Sequence, residues 1–511
     1  MADPADSSAP DDAIDRPQGS ATHDPATPPA LIEFMSGRWA PQGDMVDGPA
    51  DRAVFAQRRR SAVSARFPGD WIIVPNGGLK VRANDTDYRF RPGTDFWWLT
   101  GCDEPDAVLV LAPTDGGHAA TLFAPPRSDR STPAFFTDRR YGELWVGPRL
   151  GLDEIRTLLD VETAPGDDMP AALKAVEGGT VRVIRGFDAT VDALVPVRQP
   201  SASESAEGTE GTEDQARPVD PDEELARVLS ELRLVKDEHE IACLQRAVDA
   251  TIRGFEDVVR ALPTAARYSE RWVEGTFDRR ARTEGNDVGY GTIAASGGHA
   301  CTLHWVRNDG PVRAGDLLLL DAGVEGVELY TADVTRTLPV SGRFSPEQRE
   351  VYETVWRAQR AALEECRPGR PFLAPHRAAM RVITEWLVER GMLEDVEDAL
   401  ERTHQYHRRY TLHGTSHMLG LDVHDCANAR DEAYRGADLT PGMVLTVEPG
   451  LYFQPDDLTV PDGYRGIGVR IEDDVVITPD GCVVLSAALP TRADEVEAWM
   501  ANLLADASTE R

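Results

Sequence analysis

Long apolar runs are missing. No stretch of the 511 residues approaches the ~18 consecutive apolar side chains of a membrane-spanning helix, so no membrane span is expected. The opening residues carry neither the basic start nor the apolar core of a secretory leader. Cysteine is scarce as well. Cys102, Cys243, Cys301, Cys366, Cys426 and Cys482 are scattered with no C-x-x-C pair, which argues against a disulfide framework and a cysteine-rich zinc site. A reduced, cytoplasmic protein is the expectation. Lysine is almost absent: Lys80, Lys174 and Lys236 are the whole complement. With 54 basic against 87 acidic residues and a net charge of -33, the chain lacks the basic surface that binds a phosphate backbone.

What is present divides the chain. Residues 1–48 begin with a Pro- and Asp-rich stretch poor in large apolar side chains, and are expected to be a disordered tail. The segment 201–221, opening SASESAEGTEGTEDQA, reads as an acidic linker or loop. Between them, 49–200 should form an N-terminal domain. Residues 222–500 should form the larger C-terminal domain, with 501–511 a short tail. In the first, WIIVP (71–75) and AVLVLAP (107–113) read as buried strands, and a helix is expected around Leu152 to Leu159. This alternation predicts an α/β domain with a mixed sheet.

The second domain opens with helical periodicity through Ile241, Leu244, Ala247, Ile252, Phe255 and Val258, which Pro263 is expected to end. Ser345, Pro346 and Gln348 have the pattern of a capped helix start. Strands are expected in LLLLDAG (317–323), TADVTRTLPV (331–340), MVLTVEPGLYF (443–453) and VRIEDDVVIT (469–478). Helices and strands are segregated, which predicts an α+β domain.

Four of those strands contain an acid in an apolar setting: Asp321, Asp333, Glu448 and Glu472. A buried carboxylate needs a cation or a dense set of donors. Any one of them could pair with Arg336 or Arg470, but four in one domain favour a metal. Three of the eleven histidines stand in HGTSHMLGLDVHD as His413, His417 and His424. Neither this run nor His239-Glu240 completes an H-E-x-x-H zinc helix, since Cys243 stands where the second His would be. Four carboxylates and an imidazole form a hard, oxygen-rich set that suits Mn²⁺ or a similar first-row ion and balances two divalent charges. Such a pair can generate a nucleophile from water and polarise a carbonyl, so hydrolysis is the expected chemistry.

DAG (321–323), TADVTRT, HGTSHMLGLDVHD, VEPGLYF and GVRIEDD follow one another as do the motifs of the pita-bread metallopeptidases, and YRFRPGTDFWWLTGCDEPDAVLVLAP (88–113) resembles the N-terminal domain of aminopeptidase P. The chain is identified by this resemblance as similar to the Xaa-Pro aminopeptidases. The resemblance implies a pita-bread catalytic domain and two divalent metal ions, commonly manganese. It implies Asp321, Asp333, His417, Glu448 and Glu472 as ligands, with Asp333 and Glu472 bridging. Glu448 would also be the general base on a metal-bridging water or hydroxide. His413, His424 and His304 would contact the substrate and the developing oxyanion. Arg470, Tyr452 and Tyr290 would support the site, and Trp97 is a further substrate-side candidate. Peptides with proline second are the implied substrates, and a dimer or tetramer the implied assembly. One departure stands out. Asp321 and Asp333 are twelve residues apart rather than the family's eleven, and EGVELY (325–330) is the expected place to absorb the extra residue.

Other readings are weaker. A non-catalytic pita-bread binding protein or a metal-independent creatine-type hydrolase would lack the ligand set. A serine hydrolase using Ser416 would need a nucleophile elbow that is absent. A prolidase, cutting Xaa-Pro dipeptides by the same chemistry, is the close alternative.

Overall fold

The WIIVP and VLVLAP runs lie at the centre of a five-stranded sheet in the computed structural model, which describes residues 27–40, 43, 45–176, 179–196 and 220–509. Strands β1 (Trp71–Pro75), β2 (Val108–Thr114), β3 (Gly117–Ala124), β4 (Glu162–Pro165) and β5 (Val181–Val183) are ordered β4-β3-β2-β1-β5. The β1–β2 and β2–β3 pairs are antiparallel, whereas β1–β5 and β3–β4 are parallel, so the sheet is mixed as expected. Ile73, Val108, Val110 and Val183 pack beneath Met169, Leu173 and Val191 from two short helices.

The chain divides into two compact units, Met1–Leu225 and Ala226–Arg511. Several boundaries differ from the sequence reading. Helix α1 (Pro29–Met35) lies within the tail expected to be disordered through residue 48, started by Pro29 at a position that needs no N–H. Residues 1–26 of that tail and 201–219 of the acidic linker lie outside the described residues. Residues 501–509 of the expected C-terminal tail belong to helix α5 (Ala493–Thr509), and 510–511 lie outside the described residues.

In the second unit, α2 (Glu238–Ala265) starts from a capping box made by Asp237 and Glu240. It runs through Pro263, against expectation: the ring stands in the last turn, where few backbone bonds remain to be lost. Helix α3 (Pro346–Glu365) has the expected Ser345–Gln348 box. With α4 (Ala374–Glu389) and α5 (Ala493–Thr509) it buries Val351, Ile383, Leu387, Val496 and Met500 against one continuous core.

Strands β6 (Ile293–Ser296), β7 (Leu317–Ala322) and β8 (Val334–Pro339) form a sheet ordered β8-β7-β6. Leu318, Leu320 and Ala322 of β7 face the helical core, while Leu319 packs in a separate cluster with Ile293 and Tyr452. Asp321, two residues on, shares Leu319's face by the period-two geometry of a strand. The helices thus cover one face, and the other is left for chemistry. The extra residue between Asp321 and Asp333 sits in the turn. Asp321 pairs with Thr335, Ala322 with Val334 and Glu325 with Thr331 in one unbroken register, and Leu329 takes a left-handed conformation (φ 67°). Gly323 is required where the arms close, because a Cβ there would lie 1.7 Å from the Ala332 carbonyl oxygen.

Two expected long strands are each broken. MVLTVEPGLYF becomes β9 (Val444–Val447) and β10 (Gly450–Tyr452), while VRIEDDVVIT becomes β11 (Gly468–Arg470) and β12 (Asp473–Thr478). The register nevertheless continues across the gap, Val447 pairing with Asp473 and Gly450 with Arg470. Glu448 and Glu472 therefore occupy opposite positions in the interruption. Pro449 has no N–H to offer the ladder. The Glu448 and Glu472 amides donate elsewhere, to the Thr415 and Thr335 carbonyls at 2.8 and 3.1 Å.

Candidate active site

Each acid singled out in the sequence stands at a strand end or break, where its side chain escapes the ladder: Asp321 near the end of β7, Asp333 just before β8, Glu448 after β9 and Glu472 before β12. The histidine run is neither a helix nor a free loop. His417 exchanges backbone bonds with Thr446, its N–H donating to the Thr446 hydroxyl and its carbonyl accepting the Thr446 N–H, and Met418 bridges to Leu445. This fastens His413 and His417 along the edge of β9.

Asp321, Asp333, His417, Glu448 and Glu472 line one cavity of ≈ 680 Å³ together with Tyr290, His304, His413, His424 and Arg470. Ligand atoms of Asp333, His417 and Glu472 lie within 4.8 Å of one another. His417 Nε2 is 3.3 Å from Asp333 Oδ2 and 3.4 Å from Glu448 Oε1. Tyr290 presents its hydroxyl to Asp321 Oδ1 and Asp333 Oδ1, both at 2.6 Å. One phenolic hydrogen can serve only one of them, so the second contact requires a proton or a cation.

The electrostatics point the same way. Burial, with Asp333, Glu448 and Asp321 adding repulsion, pushes Glu472 well above the carboxylate range. Burial likewise lifts Glu448 to about 7 and raises Asp321. Burial opposes charge on His417, but Asp333 and Glu448 outweigh it and lift the imidazole to about 9. The guanidinium of Arg470, 3% exposed, donates to Asp321 and, at 2.9 Å, to the Tyr452 hydroxyl. Of the two arginines at hand in the sequence, only Arg470 reaches one of the four acids: Arg336 is fully buried against Asp473 and the Glu472 carbonyl. Four converging acids, of which Asp321 is bonded to Arg470, form a site short of positive charge, and divalent cations fit that deficit.

Around the acids, a chain of hydrogen bonds orders the polar wall. Tyr452 is 2.7 Å from His413 Nε2, and His413 Nδ1 is 2.7 Å from the Gly414 carbonyl. This arrangement assigns the hydrogen to Nδ1 and the tyrosine as donor to Nε2. Burial, with Arg470 close by, drops His413 to about 3 and keeps it neutral. His424 meets His417 edge-on with ring centroids 4.4 Å apart, and half-burial lowers it. His304 is placed by its neighbour, since Trp305 donates its indole N–H to buried Glu270 at 2.9 Å. Trp97 belongs to the first unit, buried there with the Arg52 guanidinium 5.4 Å from its ring centroid.

Two residues escaped the sequence reading. Asp474, fully buried, accepts the Asp333 N–H at 3.1 Å while its other oxygen has no hydrogen-bond partner. A third consecutive acid position in RIEDDVV was the available signal. Arg435 also lines the cavity, and nothing in AYRGAD marks it.

The comparisons with known proteins agree with this architecture. Residues 242–479 match the model of metallopeptidase family M24, and residues 55–183 that of the aminopeptidase P N-terminal domain. The chain is 53% identical to Xaa-Pro aminopeptidase 1 of Streptomyces coelicolor, across 94% of this chain and 93% of that one. It is 34% identical to the Xaa-Pro aminopeptidase of Escherichia coli, across 88% of this chain and 98% of that one. The solved structure of Escherichia coli aminopeptidase P with the inhibitor Pro-Leu superposes with a TM-score of 0.76 at 34% identity, covering 88% of this chain and 98% of the other. The chain therefore belongs to the Xaa-Pro aminopeptidase branch of metallopeptidase family M24 and is a metal-dependent peptide hydrolase.

Proposed function

We propose that the protein removes the N-terminal residue from peptides with proline in second place, using two divalent ions, Mn²⁺ being the best match to the donor set. The observation that carries this reading is the convergence of Asp321, Asp333, Glu448, Glu472 and His417 in one cavity, with Arg470 bonded to Asp321. Asp333 and Glu472, whose carboxylates meet His417 within 4.8 Å, would be shared between the ions. Asp321 would complete one shell, His417 and Glu448 the other. Bound there, such ions supply a water nucleophile at neutral pH and polarise the scissile carbonyl.

The chain's own groups do the remainder. Glu448 lies 3.4 Å from both His413 Nδ1 and His417 Nε2 and titrates near neutrality. That suits a carboxylate that takes the water's proton and returns it to the proline nitrogen as the peptide bond breaks. His424 and His304, which line the cavity, would donate to the carbonyl oxygen as charge gathers on it. Arg470, held by Asp321, Tyr452 and Thr335, fixes the wall behind them. Ile293, Leu303, Val306 and Val423 supply an apolar side to the cavity that suits a proline ring.

The test compares Xaa-Pro-Yaa tripeptides with Xaa-Pro dipeptides, using chelator-treated protein with and without Mn²⁺. Metal-dependent release of the first residue from the tripeptide, with little dipeptide cleavage, is the expected result. Cleavage confined to dipeptides would make the protein a prolidase, and no cleavage at all would reject the catalytic reading.

A further inference from the structure

Among the described residues, two groups bring three potential ligand atoms within 4.8 Å of one another. One is Asp333, His417 and Glu472 in the cavity above. The other is His239, Cys243 and Glu328, which the proposed peptidase chemistry does not use.

His239 and Cys243 stand four residues apart in the first turns of α2 and so project from the same face. Glu328 comes from the turn between β7 and β8, 85 residues further on. Cys243 Sγ is 3.6 Å from His239 Nε2 and 3.4 Å from Glu328 Oε2. A tetrahedral zinc ion with ordinary bond lengths separates sulfur from nitrogen or oxygen by about 3.6 Å. Two edges of the ligand triangle are thus already set. The third, His239 Nε2 to Glu328 Oε2, is a 2.6 Å hydrogen bond that would open by under about 1 Å to admit an ion.

The pattern of contacts separates this from a nucleophile relay. In a Cys-His-Glu relay the acid holds Nδ1 while the thiol faces Nε2. Here both the thiol and the carboxylate meet Nε2, so the three atoms converge on one point. Arg246 donates to Cys243 Sγ at 3.0 Å and lies 3.6 Å from Glu328 Oε1, while Oε2 is turned to the thiol at 3.4 Å. Its side chain is 57% exposed and can withdraw into solvent when a cation enters. A cavity of ≈ 70 Å³ lies beside the thiol and the carboxylate, lined in part by Cys243, Arg246 and Glu328, and has room for a water.

We infer that His239, Cys243 and Glu328 form a second, non-catalytic metal site of zinc type, with water as the fourth ligand, that clamps the start of α2 to the turn of the β7–β8 hairpin. On binding, the thiol proton leaves to solvent and the neutral imidazole carries its hydrogen on Nδ1. Asp321 and Asp333 stand on the arms of that hairpin, whereas the clamp holds its turn and touches no substrate.

Cobalt distinguishes the two sites, because the catalytic set contains no sulfur. Metal-free protein is loaded with two equivalents of Mn²⁺ and then titrated with Co²⁺. The expected result is one further equivalent bound with a thiolate-to-cobalt charge-transfer band in the near ultraviolet. Cys243→Ser should abolish the band, and His239→Gln should weaken cobalt binding by more than the roughly 10–100-fold that an outer-shell partner costs. Turnover by the manganese-loaded Cys243→Ser protein should be unchanged. Absence of the band, or its survival in Cys243→Ser, overturns the site, while tripeptide cleavage by the same sample reports separately on the peptidase reading.

Discussion

Two buried clusters of charge lie in the second unit, and burial acts on them in opposite senses. Asp425, 2% exposed, accepts hydrogen bonds from Lys236 Nζ at 3.0 Å and Arg233 Nε at 3.2 Å. Burial alone would raise its pKa, but the two cations prevail and lower it, while Asp425 in turn raises Lys236. Glu472, 1% exposed, has three acids around it and is raised instead. The first cluster is complete as the protein folds. It pins the end of the histidine run, since the Asp425 N–H donates to the Met418 carbonyl at 3.0 Å. In the second, the four acids outnumber Arg470 and His417. Equal burial with opposite balance separates a structural ion pair from a cation site, and that difference can be attacked from both sides.

The largest effect should come from Asp333→Ala or Glu472→Ala, which remove a carboxylate proposed to serve both ions. Metal analysis and peptide assays should show both occupancy and turnover abolished, and a variant with full metal-dependent activity would remove that residue from the site. In the metal-free state Glu472→Gln should raise the melting temperature, because folding near neutral pH no longer has to protonate a buried carboxyl. Asp425→Asn should do the reverse. Stripping the acid from a buried pair costs about 3–5 kcal/mol and leaves Lys236 and Arg233 unmatched. If calorimetry moved both variants in the same direction, the contrast between the clusters would be lost. Next in size, His424→Ala should keep its metal and lower kcat by about 10²–10³-fold, as for a lost oxyanion donor. Metal loss in that variant would assign His424 to the ligand shell.

Smaller effects sharpen the comparison. Asp474→Ala takes the acceptor from the Asp333 amide, and metal affinity should fall by roughly 10–100-fold. The pH dependence supplies the last test. Glu448 titrates at about 7 in the fold against 4.5 when unperturbed, so in that window the metal-free native state holds a proton that the unfolded chain has released. His417, lifted to about 9 from 6.5, does the same at higher pH. Both contributions are present at low pH and are lost as pH rises. Metal-free stability should therefore decline from about pH 5 to about pH 9, and the gain in melting temperature on adding Mn²⁺ should widen across the same range. A gain independent of pH would mean that these two groups do not face the ions.

Much of this was legible in the chain. WIIVP is a strand at the predicted residues, the Ser345–Gln348 box caps its helix, and the four acids and the histidine run meet in one cavity. Period and composition could show that an acid sat in an apolar run. They could not show that the strand was interrupted there, because the register resumes beyond the gap and leaves the alternation intact. Nor could they apportion partners: Arg336 and Arg470 are equally close to acids in sequence, and only the crossing of strands sends one to Asp473 and the other to Asp321. Asp474 stayed hidden for the same reason, since its role is to receive an amide 141 residues away. Helix Pro29–Met35 and the end of helix Ala493–Thr509, from residue 501 on, lie in segments that read as tails.

The paired interruption at Glu448 and Glu472 also bears on how the centre opens. Residues at a strand break ordinarily exchange their amide hydrogens with solvent quickly. Here the two amides are tied to Thr415 and Thr335, on the histidine run and on β8, so neither can be released by fraying one hairpin. Deuterium should enter both positions slowly and together, when three separate segments part at once. The centre would then lose its order as one cooperative unit.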